Sequence, residues 1–156
     1  QNTCEVNWKQ YKVHLDLNTI SNSKVYIHGF IIESELADEL IEKALNYFNN
    51  DSFWLVAPYK VFDKGVERRL VKTDTNDDAL LVTYTTGGST PGDSYLWLLD
   101  DSKKPKAFKM WTSILPIDGL EASWSDWTKT ETGAQLPTFH KLLVIGLEIE
   151  AIEGTK

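Results

Sequence analysis

Three histidines are the first candidates for chemistry in this sequence, because imidazole transfers protons near neutral pH and binds zinc. His14, His28 and His140 fall on three different predicted strands. Their spacing does not resemble the zinc motif in which two histidines share one face of a helix. The pattern favours separate surface or hydrogen-bonded histidines, and it predicts no metal site.

Carboxylates are the second candidates, since a glycosidase needs only two of them at a set separation. Turn and strand-edge carboxylates normally face solvent, however. Segment 74–78 (DTNDD) concentrates acids as a calcium loop does, but it lacks the Asp-x-Asp-x-Asp-Gly pattern and the distal Glu. We interpret all of these acids as parts of solvated turns and strand edges. The acids considered as catalytic pairs are Asp93, Asp100, Asp101, Asp118, Glu121 and Asp126.

A glycine-rich segment, 86–93 (TGGSTPGD), is the remaining motif with a known chemical use. It lacks the Lys-Ser/Thr ending and the following helix of a phosphate-binding loop, because a predicted strand begins at Tyr95. We interpret it as a hairpin loop. No Gly-x-Ser-x-Gly motif occurs, and Cys4 has no base paired with it. The sequence therefore predicts a non-enzymatic protein with no catalytic residues and no cofactor.

Composition and charge limit the partners. The chain has 156 residues and a net charge of −7, and its bases are scattered in ones and twos. Nucleic acid is not an expected partner, because phosphate binding needs a concentrated basic surface. Apolar runs such as 142–147 are far too short to cross a bilayer, so the protein is not expected to span a membrane. The start Gln1-Asn2-Thr3 suits a signal-peptidase product and predicts export.

Hydrophobic patterning predicts one helix and many strands. The helix is placed at 34–50, where apolar residues recur at helical spacing after a serine N-cap. Segment 53–62 is predicted to be an edge strand or an extended segment, because Pro58 interrupts it. Gly29 predicts a bulge or close backbone approach in a buried strand. The predicted strands are 6–17, 25–32, 66–73, 79–86, 95–99, 107–113, 120–128 and 139–149.

Short strands with turn signals between them predict an antiparallel meander. A sheet of this size usually curls. The predicted fold class is mainly β (α+β): a curled antiparallel meander of about eight strands, a half-barrel or barrel, with one amphipathic helix packed on it. A sandwich is the alternative. No domain boundary stands out, so residues 1–156 are predicted to form a single domain.

Aromatic residues are numerous, with six each of Trp, Tyr and Phe. Trp97, Trp111 and Trp124 lie on strand-like runs and have two interpretations. They fill the core, or the aromatic surplus lines a cavity for an apolar ligand or forms a platform for sugar rings. Trp124 and Trp127 are three positions apart, so a regular strand would point them to opposite faces. One of the two is predicted to be exposed or at a bulge.

Residues 49–140 resemble an uncharacterised family of exported bacterial proteins through NDSFWLVAPYKVFDKGVERR, TTGGSTPGDSYLWLLDD, KPKAFKMWTS and GLEASWSDW followed by TGAQLP. More distantly, this order of aromatic strands, Pro-containing turn and Gly-x-x-Leu-Pro turn is similar to the outer-membrane lipoprotein carrier and sorting fold. The resemblance implies a curved sheet closed by helices over a cavity that holds acyl chains. It also implies a periplasmic or cell-surface location in the bacterial envelope. The chain departs from that fold in showing one clear helix.

Two functions follow from these observations. The first is a non-enzymatic binding protein that holds a hydrophobic ligand, a lipid or acyl chain, in the curled sheet. The alternative is a structural or interaction module of a bacterial surface or periplasmic complex, whose exposed aromatics contact a protein or glycan. A large exposed apolar patch would favour the alternative. The candidate lining residues of the first function are Trp54, Tyr84, Trp97, Trp111 and Phe139.

Overall fold

The structure, a computed structural model, describes residues 2–87, 89–113 and 117–154. These residues form two antiparallel sheets and one long helix, which confirms the predicted mainly β fold. The chain divides into two compact units, residues 1–52 (unit 1) and 53–156 (unit 2). Each unit is described by itself, and the single domain over 1–156 stays a prediction. None of the described helical residues forms a segment long and apolar enough to cross a membrane.

In unit 1 the residues that the structure describes form four strands, β1 (Thr3–Trp8), β2 (Tyr11–Asp16), β3 (Lys24–Ile27) and β4 (Phe30–Ile32). They form a separate meander in that order. The predicted strands 6–17 and 25–32 are hairpins, because the backbone reverses beyond Trp8 and at His28-Gly29, where φ is 50° and 85°. Gly29 therefore lies in a turn and not at a bulge of a buried strand. Phe30, which follows it, is exposed.

Helix α1 spans Glu35–Val56 and continues into a 3-10 turn at Ala57–Tyr59. It begins where predicted, after Ser34, whose carbonyl accepts the N–H of Ala37. It continues past the predicted end at Asn50, so the expectation that 53–62 is extended is wrong. Phe53 and Trp54 pack on the core of unit 2. Burying two such rings outweighs the helix propensity cost of Asn, which is about 0.7 kcal/mol per residue at most.

The described residues of unit 2 form eight strands, β5 (Val66–Lys72), β6 (Asp78–Tyr84), β7 (Ser94–Leu99), β8 (Pro105–Trp111), β9 (Leu120–Ser123), β10 (Ser125–Lys129), β11 (Gln135–Leu142) and β12 (Ile145–Glu148). They pair antiparallel in the order β5-β6-β7-β8-β9-β11-β12, and β10 pairs with β11 beside β9. The predicted meander is confirmed. Among the described residues β5 and β12 do not pair, so the sheet has two open edges. The predicted alternative of a closed barrel is therefore wrong.

The pairing register divides the larger sheet into two faces, because directly opposite residues of paired strands share a face. The inner face carries Leu80, Trp97, Phe108 and Ala122 on four consecutive strands. The outer face carries the residues between them. The core of unit 2 lies on the inner face, where the end of α1 packs against it.

The strand predicted at 120–128 is interrupted at Trp124, which separates β9 from β10. Asp126 then adopts a left-handed φ of 52°. Trp124 and Trp127 both contact the inner-face core, although they are three residues apart. The pairing of 120–128 with β11 keeps one register on both sides of Trp124, with Ala122 opposite Leu142 and Ser125 opposite Phe139, so the predicted bulge is not borne out.

Candidate functional site

An aromatic cluster covers the inner face of unit 2. Its rings are directly packed: the centroids of Phe53 and Tyr95 are 4.6 Å apart, and those of Phe108 and Trp124 are 4.8 Å apart. Helix α1 supplies two of the rings and the sheet supplies the others. The members of this aromatic cluster are Phe53, Trp54, Tyr84, Tyr95, Trp97, Phe108, Trp124 and His140.

Three of the five predicted lining residues, Trp54, Tyr84 and Trp97, belong to the aromatic cluster. Trp97 is 2% exposed and meets Trp124 edge-on, with centroids 5.0 Å apart. Its ring is therefore part of the packed core. Trp54 and Tyr84 are half-buried around it.

The other two predicted lining residues lie on the outer face. Trp111 is directly opposite Ser94 and is 38% exposed. Phe139 covers Gly146, where an added Cβ would come within 3.0 Å of the phenylalanine ring. The sheet separates these two rings from the aromatic cluster, so the five residues do not surround one volume.

Three buried polar atoms of the aromatic cluster have no hydrogen-bond partner among the described residues: Trp97 Nε1, Trp124 Nε1 and His140 Nε2. Burial lowers the pKa of His140, which favours its neutral form. The His140 Nδ1 atom lies 3.0 Å from the Ser123 carbonyl and donates to it, which leaves Nε2 as an acceptor. Unpaired buried groups of this kind cost about 1–3 kcal/mol each.

The two tyrosines of the aromatic cluster stay protonated near neutral pH. Burial, with a smaller effect of Asp63, raises the pKa of Tyr84 to about 12. Burial also raises the pKa of Tyr95, and the nearby Asp93 carboxylate adds to the effect. The tyrosine side chains are therefore uncharged, in keeping with an apolar cluster.

The glycine-rich segment 86–93 is a loop in its described residues, as predicted; Gly88 lies outside them. Asp93 is 3% exposed. Its carboxylate accepts hydrogen bonds from the Thr90 hydroxyl and from the Ser113 backbone N–H, the latter at 3.0 Å. Asp93 therefore ties this loop to the segment that follows β8.

The acids of segment 74–78 lie at the turn of the β5–β6 hairpin. Asp78 forms ion pairs of 2.6 Å with Lys103 and 2.7 Å with Lys72. The hydrogen bonds from Lys103 and then Lys72 lower the pKa of Asp78 to about 2. Within residues 2–87, 89–113 and 117–154, no group of three or more His, Cys, Asp or Glu is placed to hold a metal ion.

The three histidines have three different environments. His14, on the sheet of unit 1, contacts the Glu5 carboxylate at 2.7 Å. Hydrogen bonds from Asn7, Lys12 and His14 lower the pKa of Glu5 to about 2. His28 lies in the β3–β4 turn with a φ of 50°. His140 is buried in unit 2.

An open groove of about 1140 Å³ lies in unit 1 between α1 and the segment from Ile20 to β4. Apolar residues such as Ile31 and Ile41 alternate in its lining with charged residues such as Lys24 and Asp38. The sequence does not predict this groove, because its walls come from separate segments that carry no motif.

A second surface that the sequence analysis missed is the β11–β12 hairpin. Leu143, Val144, Ile145 and Leu147 are 64%, 96%, 65% and 42% exposed. The prediction of one strand over 139–149 is wrong, because the chain reverses at Leu143, where φ is 53°. Leucine rarely adopts this conformation, and no Gly, Pro, Asn or Asp marks the turn. Gly146, three residues after Leu143, is the one sequence signal near it.

No family model, curated protein or solved structure matches this chain. The resemblance to exported bacterial proteins and to the lipoprotein carrier and sorting fold therefore stays a prediction. What the structure defines is a mainly β protein whose larger sheet is an open antiparallel meander.

Proposed function

We propose that this chain is a non-enzymatic protein-interaction module, which binds a protein strand along β12 at the edge of the larger sheet. The observation that carries the proposal is the exposed apolar β11–β12 hairpin, where four large apolar side chains lie beside a strand edge that pairs with no described strand. Contiguous apolar surface of this kind is typical of interaction sites.

The backbone of β12 is oriented to receive another strand. The Ile149 N–H donates to the Thr138 carbonyl at 2.9 Å, so alternate residues, including Leu147, direct their backbone groups toward β11. The N–H and C=O groups of Gly146 and Glu148 consequently point away from β11. No described strand pairs with them. Adding a strand at such an edge is a common mode of peptide recognition.

The β12 edge lacks lysine and proline, two of the residues that usually protect a free strand. Natural sheet edges carry lysine, proline, a bulge or a covering segment, which prevent pairing with other chains. The sequence of β12, Ile145–Glu148, contains no basic residue and no proline, and all four of its residues are exposed. This difference supports a binding role for the edge.

The proposed setting is the bacterial cell envelope, with export to the periplasm or the cell surface. It depends on the resemblance of residues 49–140 to exported proteins. The module would there be part of a surface or periplasmic complex.

Photo-crosslinking tests this proposal. A photoreactive phenylalanine analogue replaces Val144 in one variant and Asp101, at the exposed β7–β8 turn, in the matched control. In extracts of the native host, the Val144 position should give a discrete crosslinked protein band that the Asp101 position does not give. An additional Leu147→Lys change should remove that band. Equal labelling from both positions would contradict the proposal.

A second candidate function is the binding of a hydrophobic molecule by the aromatic cluster. It is supported by the unpartnered nitrogens of Trp97, Trp124 and His140, which would bind the polar end of such a ligand. Native mass spectrometry of detergent-free protein, followed by lipid extraction, tests it. A stoichiometric adduct lost on denaturation would support a carrier, whereas a bare chain would contradict this candidate and leave the interaction module intact.

A further inference from the structure

We propose that the strand which pairs with β12 is β5 of a second copy of this chain, so that copies join head to tail through the two open edges of the larger sheet. The inference rests on the proposed function, because it uses the same β12 edge.

The direction of the strands allows this continuation. Six antiparallel pairings separate β5 from β12 in the order β5-β6-β7-β8-β9-β11-β12. Because that number is even, β12 runs in the same direction as β5. A second copy in the same orientation therefore places its β5 parallel to β12, and its inner face continues the inner face of the first copy.

The free backbone groups fit one parallel register. The Thr85 N–H donates to the Gly65 carbonyl at 2.8 Å, so Glu67 and Arg69 direct their backbone groups toward β6. Arg68 and Leu70 direct theirs toward the open edge. In a parallel pair of strands, each residue that points toward the neighbouring strand has one residue directly opposite it on that strand. Its N–H and C=O groups bond to the residues before and after that opposite residue. Glu148 placed opposite Arg69 therefore bonds to the Arg68 C=O and the Leu70 N–H.

The same register pairs opposite charges on the outer face. Arg69 lies opposite Leu81, and Glu148 lies opposite Phe139, which assigns both charged side chains to that face. Neither side chain forms an ion pair with any residue that the structure describes. Strand β5 has three basic residues and one acid, whereas 145–153 has three acids and no base. Directly opposite unlike charges stabilise paired strands.

Apolar residues meet on the inner face in this register. Leu70, which is 68% exposed at the β5 edge, faces Ile149 of the adjoining copy. Val66 in turn faces Ile145, which is 65% exposed. The association therefore covers exposed apolar side chains of both edges.

A closed dimer formed by two β12 strands is the competing arrangement. A two-fold axis there would pair the strands antiparallel, and one register that uses the free backbone groups places Glu148 of one copy opposite Gly146 of the other. The two Glu148 side chains would then be diagonal neighbours on one face, and like charges this close destabilise a strand pair. Charge complementarity favours β5 as the partner of β12. Such a head-to-tail contact repeats and gives a ring or an open-ended series.

Sedimentation velocity of the 156-residue chain and of two charge-reversal variants tests the inference. Wild-type protein should form species larger than a dimer as concentration rises. Glu148→Arg and Arg69→Glu should each remain monomeric, because each places like charges in every contact. An equimolar mixture of the two variants should associate again, since Glu148 of one variant then meets Arg69 of the other. Basic residues that merely protect a free β5 edge would not give this recovery.

Glu131→Arg is the matched control, because it makes the same charge change at the β10–β11 turn; it should associate as wild type does. Circular dichroism confirms that each variant is folded. If Arg69→Glu associates as wild type does, β5 is not part of the contact and the head-to-tail arrangement is wrong. A wild-type chain that stays monomeric at all concentrations also overturns the inference. The crosslinking at Val144 then decides the proposed function separately.

Discussion

The centre and the β12 edge of the larger sheet both carry large apolar side chains, but only the centre buries them. Trp97 and Phe108 lie opposite each other on β7 and β8 and are 2% and 0% exposed. Ile145 and Leu147, on β12 of the same sheet, keep about half of their surface in water. The end of helix α1 covers the inner face at the centre, and no described segment covers β12 in the same way.

Because of this difference, the centre of the sheet contributes to the stability of the fold, whereas the β12 edge is available for binding. Burying apolar surface contributes about 25 cal/mol for each Å² removed from water, so the aromatic cluster stabilises unit 2 itself. The exposed residues of the β11–β12 hairpin contribute little to folding, and their apolar surface remains available to a partner. Mutations at the two places should therefore affect different measurements.

The largest effect is expected at the centre. Phe108→Ala should lower the free energy of unfolding by about 3–5 kcal/mol, because it removes a fully buried ring and leaves a cavity. Val144→Ala in the β11–β12 hairpin should change the same quantity by less than about 0.5 kcal/mol. Urea denaturation followed by tryptophan fluorescence measures both. Similar losses in the two variants would mean that the hairpin is part of the folded core.

A pH-dependent effect of intermediate size is expected from His140. Its pKa is lowered by burial, so below its ordinary value of about 6.5 the unfolded chain binds more protons than the folded chain. The stability that His140 contributes is complete above that pH and is lost as the pH falls. Glu5 and Asp78, whose pKa values are lowered to about 2, add a separate loss at more acidic pH, where unfolded carboxyls are protonated.

His140→Asn tests this origin, because the amide nitrogen still donates to the Ser123 carbonyl but does not titrate. Unfolding free energies between pH 7 and pH 5.5 should decline in the wild type and change less in the variant. His28→Asn, at the exposed β3–β4 turn, is the control and should keep the wild-type slope. An unchanged slope in His140→Asn would assign the decline to another group.

The smallest effect on folding is expected at the β5 edge. Leu70→Ser should change the unfolding free energy of the monomer by less than about 0.5 kcal/mol, because the side chain is largely exposed. The same change should weaken self-association, since Leu70 faces Ile149 of the adjoining copy in the proposed register. Sedimentation at several concentrations measures the second effect. An unfolding free energy that falls without any change in association would place Leu70 in the core.

The sequence predicts the strands well where turn-forming residues mark the ends of the strands. The β5–β6 and β7–β8 hairpins follow from TDTNDD and DDSKKP, and the start of α1 follows from Ser34 and the acids after it. In each case a local pattern determines the local structure.

The parts that sequence analysis missed depend on contacts distant in sequence. Asn49 and Asn50 suggest a helix end, but packing of Phe53 and Trp54 extends the helix. The sequence at Leu143 carries no turn signal. Its left-handed backbone conformation occurs where β11 and β12 pair, and that pairing is visible only in the structure. The open edges of the sheet become visible only when the strand order is known. The prediction that Trp111 and Phe139 line a cavity with Trp97 overlooked the alternation that puts them on the outer face.

Hydrogen–deuterium exchange of the two open edges tests the central claim most directly. At low concentration the Glu148 and Leu70 amides should exchange rapidly, while the Trp97 amide in the sheet centre should be protected. At high concentration the Glu148 and Leu70 amides should become protected together, since each lies on one side of the same contact between copies. The Glu131→Arg control should behave as wild type does. Exchange at both edges that stays rapid at every concentration would contradict the pairing of β12 with β5.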